Sequence, residues 1–144
     1  MARRLFRGDR LLAAREAAGL SREQVTLVLG LSSPMRIKVW ELGVEHPQPR
    51  FVPPLAALLR VEPMHLLGVD PSDPPLAALR IAAGRATHQM AAPGMSVMTY
   101  VRLEDGRPGA EPSVHVVAAI AAALGTEAAR VEAAIRRARS DYAA

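Results

Sequence analysis

Residues 19–43 read GLSREQVTLVLGLSSPMRIKVWELG, and this stretch decides the fold. Gly19 is suited to end a preceding helix in the left-handed conformation. Ser21 is a good cap for the next helix, and Gln24 follows three residues later, as a capping box requires. The stretch therefore predicts two successive helices separated by a glycine turn. The apolar face of the second is expected to comprise Val25, Val28 and Leu29.

A third helix is predicted in the second half of the same stretch. Gly30 permits a tight turn, and Ser32-Ser33-Pro34 offers two serine caps followed by proline near the first helical position, where proline is favoured. Ile37 and Trp40 are three residues apart, so they mark the buried side of this helix. Gly43 is expected to end it.

The pattern returns in the second half of the chain. Three matches occur in the same order: Ala17-Ala18-Gly19 with Ala82-Ala83-Gly84, Trp40-Glu41-Leu42-Gly43 with Leu103-Glu104-Asp105-Gly106, and Leu55-Ala56-Ala57-Leu58-Leu59 with Val117-Ala118-Ala119-Ile120-Ala121. Such a repeat indicates two copies of one structural unit. Residues 69–75 are rich in Pro and Asp and cannot continue a helix, so the predicted domains are 1–69 and 70–144.

The complete prediction is an all-α protein built from two tandem five-helix units. In the first copy, a fourth helix starts near Phe51 and a short fifth covers residues 63–67. In the second copy, helices are predicted over 75–83, 86–92, 96–104, 113–124 and 126–139, the second of them cut short by Pro93. The last helix has an apolar side that is expected to seal its own core or to brace the two units: Val131, Ala134 and Ile135.

Composition narrows the classes of function. Half of the chain is hydrophobic but only 3% is aromatic, and 18 Lys and Arg residues stand against 14 Asp and Glu, a net charge of +4. Lys38 is the only lysine. Almost all of the positive charge is therefore guanidinium, which suits contacts with phosphate and with guanine. The acidic residues are interpreted mostly as solvated helix faces.

Catalysis, metal binding and membrane insertion lack support in the sequence. The chain has no cysteine and no glycine-rich phosphate loop, and its four histidines lack the spacing of metal ligands. We therefore expect no enzyme activity and no metal, cofactor or small-molecule ligand. The longest apolar run, 116–124, is too short to cross a membrane, and the N-terminus lacks the apolar core of a signal peptide. A cytoplasmic, nucleoid-associated protein is expected.

The order of these elements resembles the phage repressor and Cro (Xre-type) family of helix-turn-helix domains. The elements are a helix, a glycine, a capped short helix, a glycine turn, a third helix and a Glu-x-Gly motif. The first copy carries the resemblance through Gly19-Leu20-Ser21-Arg22-Glu23-Gln24-Val25, Trp40-Glu41-Leu42-Gly43 and Pro49-Arg50-Phe51-Val52-Pro53, and the second through residues 94–106. The resemblance implies that the third helix of each copy enters the major groove of double-stranded DNA. Two departures are an extra residue between the glycines of the first copy and the proline that shortens the second helix of the second.

The resemblance also implies which side chains meet DNA. Residues at the start of the third helices face bases, and residues at the start of the second helices and in the loops after the third helices face phosphates. The base-facing set, with the adjacent Lys38, is Ser33, Pro34, Met35, Arg36 and Val39 in the first copy and Ser96, Val97, Met98, Thr99 and Arg102 in the second. The phosphate-facing set is Arg22, Gln24 and Arg50 in the first copy and His88, Gln89 and Arg107 in the second. Arg3, Arg4 and Arg7 form either a minor-groove arm or a tail.

Apolar side chains in both predicted recognition helices suggest what these helices read. Pro34-Met35 and Val97-Met98 stand where such helices usually carry amide or charged groups, and they cannot read a donor/acceptor code. They can contact a methyl group, namely the C5-methyl of thymine or of 5-methylcytosine. The hypothesis is a preference for methyl-bearing sites. The alternative is that the helices contact mainly backbone while Arg36 and Arg102 read guanine.

Two functions remain open on the sequence. In the first, the two copies act as a covalent pseudo-dimer on double-stranded DNA, as a monomer or within a homodimer, and regulate transcription. In the second, the chain is a protein-interaction or antitoxin-like module whose helix-turn-helix units have lost DNA contact. The apolar second recognition helix favours the second function, and a steep salt dependence of DNA binding would favour the first.

Overall fold

The computed structural model describes residues 5–144, so Arg3 and Arg4 of the predicted arm lie outside the described residues. This part of the chain is all-α. Its helices are α1 (Gly8–Ala17), α2 (Arg22–Leu29), α3 (Met35–Glu41), α4 (Val52–Leu59), α5 (Leu76–Ala82), α6 (Val97–Glu104), α7 (Val114–Leu124) and α8 (Ala128–Ala143). Short 3-10 helices lie at Pro49–Phe51, Pro63–Leu66 and Thr87–Met90. Within residues 5–144, β-structure is limited to two isolated bridges.

Helices α1–α4 and the 3-10 helices Pro49–Phe51 and Pro63–Leu66 pack into a first bundle. Its core contains Trp40 and Ile37, both fully buried, and the Trp40 ring lies 5.6 Å from the ring of Phe51. The start of α1 approaches the end of α3 so closely that a side chain at Gly8 would collide with the carbonyl oxygen of Trp40. The predicted buried side of the third helix is confirmed, and α3 is held against α1 and α2.

Helices α5–α8 and the 3-10 helix Thr87–Met90 form a second bundle with its own core. Tyr100 and Leu103 of α6 are buried in this core. Helix α8 packs on α5, α6 and α7 through its apolar side, which comprises Val131, Ala134 and Ile135. The last helix therefore seals the second core, and it continues past the predicted end at residue 139 to Ala143.

The two bundles meet along α5. Ala78 of this helix packs with Leu5 and Leu67 in a small apolar cluster. The segment before α1 is tied to the end of the first bundle, because the N–H of Gly68 donates to the carbonyl of Leu5 at 2.7 Å. Helix α5 also contacts α4 and both 3-10 helices of the first bundle. The bracing that the sequence suggested for the last helix is thus supplied mainly by α5.

Two predicted α-helices are replaced by 3-10 helices. Residues 86–92 form only Thr87–Met90, because Ala86 has no side-chain oxygen to cap a longer helix and Pro93 removes a backbone donor. Residues 63–67 form only Pro63–Leu66, since Leu67 turns into an extended conformation and pairs with Phe6.

The buried face of α2 also differs from the prediction. It runs through Val25, Thr26 and Leu29, while Val28 is exposed. Thr26 can be buried because its hydroxyl donates a hydrogen bond to the carbonyl of Arg22 at 2.7 Å, within the same helix. Val28 therefore belongs to the surface of the first bundle.

The sequence match that aligned Leu55–Leu59 with Val117–Ala121 is wrong by three residues. Both α4 and α7 end at a residue in the left-handed conformation, Arg60 with φ 57° and Gly125 with φ 65°. When the helices are aligned at these ends, Leu55 corresponds to Ile120 rather than to Val117. Alanine-rich sequence matches itself in several registers, and only the packing selects one.

No single helix of the described residues is long and apolar enough to cross a membrane. Helices Val114–Leu124 and Ala128–Ala143 together have the length and composition of a span, but the chain bends by 103° between them.

Candidate nucleic-acid interface

Two arginine–glutamate pairs hold the helices that carry the candidate interface. Arg15 of α1 donates to both carboxylate oxygens of Glu41 at the end of α3. Arg80 of α5 donates to both oxygens of Glu104 at the end of α6, at 2.7 and 2.8 Å. The Glu41 and Glu104 side chains are only 1% and 13% exposed. The interpretation of the acidic residues as solvated faces is therefore wrong for these two, because a guanidinium matches each carboxylate.

The same two arginines also fix the turn after the first helix of each bundle. Nη1 of Arg15 donates to the carbonyl of Leu20, and Nη1 of Arg80 donates to the carbonyl of Arg85, both at 2.9 Å. The hydrogen bond to Glu41 raises the pKa of Arg15. Burial lowers the pKa of Arg80, but its pairing with Glu104 outweighs burial and the net shift is upward. Both guanidinium groups thus stay charged at any physiological pH.

The clamps are not among the features predicted above, although the sequence contains a signal for them. Each arginine stands four residues before the glycine that ends its helix, Gly19 or Gly84, and each glutamate stands two residues before Gly43 or Gly106. The glycines mark the helix ends. The charged residues beside them repeat at the same places in both copies, and a repeated pair of opposite charges could have been interpreted as a contact.

The predicted phosphate-facing residues at the start of the second helices are partly occupied within the chain. The Gln24 side-chain oxygen accepts from the backbone N–H of Ser21 at 2.7 Å, which confirms the capping box. The Gln89 side-chain oxygen accepts from the N–H of Ala86 at the same distance. Each glutamine keeps its amide nitrogen, a double donor, for another partner. His88 lies beside Gln89 and is exposed.

Arg22 is drawn toward the first clamp. Its Nε lies 2.8 Å from the Glu41 carboxylate, and the outer part of its side chain remains accessible to solvent. Glu41 thus shares its charge between Arg15 and Arg22. A phosphate at this position has to compete with the carboxylate for the Arg22 guanidinium.

The start of α3 forms an exposed surface with positive charge and one apolar side chain. Met35 is 57% exposed, Arg36 and Lys38 are also exposed, and the Arg36 guanidinium lies 5.9 Å from the centroid of the Trp40 ring. The hydroxyl of Ser33 accepts from the N–H of Met35 at 3.2 Å, while Pro34 is the residue that precedes the first helical turn. The remaining predicted residues here are half-buried: Ser33, Pro34 and Val39.

The start of α6 has a similar surface with less charge. Ser96 caps the helix by accepting from the N–H of Thr99 at 3.1 Å, and the two hydroxyls lie 3.0 Å apart. Met98 is 62% exposed, Arg102 is exposed, and Val97 is half-buried. The first turn of α6 is therefore capped by Ser96, and its outer side is accessible to a partner.

The two helices present one methionine each at the same position. Glu41 and Glu104 make equivalent pairs at the helix ends, and counting back from them places Met35 opposite Met98 in the alignment. Both methionines are among the exposed large hydrophobic side chains of the described residues. An exposed methionine in the first turn is therefore a feature of both copies.

The two loop arginines differ in how far their charge is matched. The guanidinium of Arg50 lies over the ring of Phe51, 4.7 Å from its centroid, and is exposed. Nε of Arg107 lies 3.9 Å from the carboxylate of Asp105. Arg50 keeps its full charge for a partner outside the chain, whereas the charge of Arg107 is partly compensated.

Four predicted residues combine exposure with uncompensated positive charge. In residues 5–144, Arg36, Lys38, Arg50 and Arg102 enter no ion pair. The same part of the chain holds no group of His, Cys, Asp or Glu that could bind a metal ion. The surface is thus equipped for anions and for shallow apolar contacts.

Comparison with known proteins adds no relative: no protein-family model, no curated protein and no solved structure matches this chain.

Proposed function

We propose that this protein binds double-stranded DNA through α3 and α6, which serve as the recognition helices of two helix-turn-helix units, and that it regulates transcription. One observation carries this proposal. The two helices are mounted by the same buried arginine–glutamate clamp, and each leaves its first turn exposed. A rigidly held helix with an open N-terminal half is what entry into a major groove requires.

The charges favour a polyanion as the partner. Arg36, Lys38 and Arg102 project from the two helices without a carboxylate partner among the described residues, and the glutamates of the same helices are buried in the clamps. The exposed side of α3 therefore has a positive electrostatic potential, although the net charge of the whole chain is only +4. Two such helices on one chain raise the effective concentration of the second at its half-site, so the monomer acts as a pseudo-dimer.

Fluorescence anisotropy with DNA fragments selected from sheared genomic DNA tests the proposal. Affinity should fall steeply between about 50 and about 200 mM salt, because several phosphate contacts release counterions. Arg36→Ala and Arg102→Ala should each weaken binding by about fivefold or more, since a lost base contact costs roughly 1–3 kcal/mol.

Arg136→Ala is the matched control, because Arg136 is an exposed arginine on α8 that enters no ion pair within the described chain. It removes the same charge from a helix that carries none of the proposed DNA contacts. Salt-independent binding, or equal losses for the three variants, would contradict a DNA interface on these helices.

We propose further that Met35 and Met98 contact C5-methyl groups of thymine or 5-methylcytosine. Their support is the equivalent, exposed position in the two helices. Selection from native genomic DNA beside an amplified, unmodified copy detects a modification preference, and duplexes with unmodified, CpG-methylated and thymine-substituted sites measure it. Equal affinity across the three duplexes would leave Arg36 and Arg102 as the readers of guanine.

A protein-interaction module is the second candidate function, and exposed apolar side chains favour it. Leu27 is 82% exposed near the end of α2, and Val28, Leu42 and Val44 are also exposed on the first bundle. A single exposed apolar side chain is normal, whereas several that lie in one continuous patch mark a protein contact. Leu27→Ser should abolish capture of a protein partner under this function and leave DNA affinity unchanged under the first.

A further inference from the structure

The contact between the two bundles brings together two loops that the proposed function places near DNA. Gly84 follows α5 with φ +75° and packs against Pro53 at the start of α4. A Cβ at Gly84 would lie 2.9 Å from Cγ of Pro53 and 3.6 Å from the carbonyl oxygen of Pro49. Arg85, which follows Gly84, and Arg50, which follows Pro49, therefore both stand next to this contact in sequence.

The backbone of Arg85 is fixed, and its side chain is free of ion pairs. Its N–H donates to the carbonyl of Arg80 at 3.1 Å, and its carbonyl accepts from the Arg80 guanidinium at 2.9 Å. Because both backbone groups are hydrogen-bonded, the position from which the exposed Arg85 side chain extends is fixed. In the chain from residue 5 onward, no carboxylate pairs with it.

Arg50 is held from the other side of the junction. Its guanidinium lies over the ring of Phe51, which itself packs on Trp40 of the first core. The ring limits the directions that the guanidinium can take without neutralising it. Arg50 and Arg85 thus form a junction pair: two exposed cations on adjoining, braced loops.

The positions of this pair follow the DNA-facing elements of both units. Arg50 stands in the loop after α3, and Arg85 stands directly before the turn that opens the Thr87–Met90 helix, which corresponds to α2. In a helix-turn-helix unit, phosphates lie against both places. The contact between Gly84 and Pro53 thus brings two candidate phosphate-facing places, one from each bundle, next to each other.

We infer that Arg50 and Arg85 together bind the phosphate backbone at the junction, so that one duplex meets both bundles across a continuous surface. This inference rests on the proposed function and extends it to Arg85, which the sequence did not single out. Phosphate contacts carry no sequence information, so the pair contributes to binding on any duplex. The ligand is the backbone of a single duplex that passes both recognition helices.

Anisotropy with a labelled duplex of mixed sequence, about 30 bp or three helical turns, tests the inference. Salt is varied between about 50 and about 200 mM, and the slope of log K against log salt is measured for the wild type, Arg85→Ala, Arg50→Ala and Arg85→Lys. Each alanine variant should reduce the slope by about 0.9, the value for one lost phosphate contact on B-DNA. Arg85→Lys keeps the charge and should keep the slope.

Arg136→Ala is again the control for the loss of one positive charge. All variants are first compared by circular dichroism and thermal unfolding. Arg85→Ala retains both backbone hydrogen bonds and should therefore fold. Wild-type binding with the same slope for Arg85→Ala and Arg136→Ala would overturn the junction contact and leave the proposed function standing. A wild-type protein without measurable affinity at the lowest salt would overturn both.

Discussion

Arg80 donates two hydrogen bonds to the carboxylate of Glu104, and this pair joins the first helix of the second bundle to the end of α6. The two side chains are 10% and 13% exposed. Arg15 and Glu41 make the corresponding contact in the first bundle. The orientation of each candidate recognition helix is thus set by a charge pair that is largely removed from solvent.

Glu104→Gln should destabilise the protein strongly. Glutamine preserves the volume but leaves the Arg80 guanidinium buried without a counter-charge, and loss of one partner of a buried pair costs about 3–5 kcal/mol. Urea unfolding followed by circular dichroism measures the loss. Asp141→Asn is the control, because Asp141 pairs with Arg137 on the exposed face of α8 and such pairs contribute about 0–1 kcal/mol. Similar losses for the two variants would show that burial does not strengthen the clamp.

The elements that sequence could predict are those set by local rules. Gly19 and Gly43 end their helices with positive φ, and Ser21 and Gln24 form the expected box. Each of these features depends on residues within one or two turns, so it is readable without knowledge of tertiary contacts. The all-α class follows from them.

The features that sequence could not predict depend on packing between distant segments. Glu41 looks like any exposed acidic residue until α1 places Arg15 beside it. The alignment of α4 with α7 is ambiguous in alanine-rich sequence and becomes unique only when Leu55 and Ile120 are seen in their cores. Arg85 lacked any local signal, because its position results from the contact between Gly84 and Pro53.

Gly43→Ala and Gly106→Ala should differ in cost although the two glycines occupy equivalent positions. Both have positive φ, 72° and 74°, so alanine is strained by about 1 kcal/mol at either. The difference in cost comes from the surroundings of the added methyl group. Nothing lies within 4 Å of a Cβ at Gly43, whereas a Cβ at Gly106 would collide with the carbonyl oxygen of Ala138. Thermal unfolding should give a loss for Gly106→Ala that exceeds that of Gly43→Ala by about 1–3 kcal/mol. Equal losses would mean that α8 does not press on the end of α6.

Tyr100→Phe should leave stability unchanged or raise it by about 1 kcal/mol at neutral pH. The Tyr100 hydroxyl is buried in the second core without a hydrogen-bond partner, and an unsatisfied buried donor opposes folding. Urea unfolding of the two proteins measures the difference. A loss of more than 1 kcal/mol in the variant would instead indicate that the hydroxyl has a partner in solution.

The same tyrosine should make the fold sensitive to alkaline pH. Burial raises the pKa of Tyr100, and the charge of Glu104 raises it further. Its neutral form is therefore favoured in the folded state. The associated stability is complete below the unfolded pKa of about 10, and it falls as pH rises above it, because only the unfolded chain then ionises.

Wild-type stability should consequently decrease relative to Tyr100→Phe by up to about 1.4 kcal/mol for each pH unit above about 10. Urea unfolding of both proteins across this range gives the difference, and Tyr142 is present in each as a common background. Parallel stability curves would mean that Tyr100 ionises equally easily in the folded protein.

Gly84→Ala should loosen the contact between the bundles more than Gly19→Ala disturbs the first bundle alone. Both glycines have positive φ and share the backbone strain, but only a Cβ at Gly84 meets another segment, the rigid ring of Pro53 at 2.9 Å. Either that ring or α5 has to move, and α5 is the helix that joins the bundles. Calorimetric unfolding should show lower cooperativity for Gly84→Ala, with the two cores melting apart, while Gly19→Ala should keep a single transition at a slightly lower temperature. A single, equally shifted transition for both variants would mean that Pro53 yields without cost and that the bundles are coupled elsewhere.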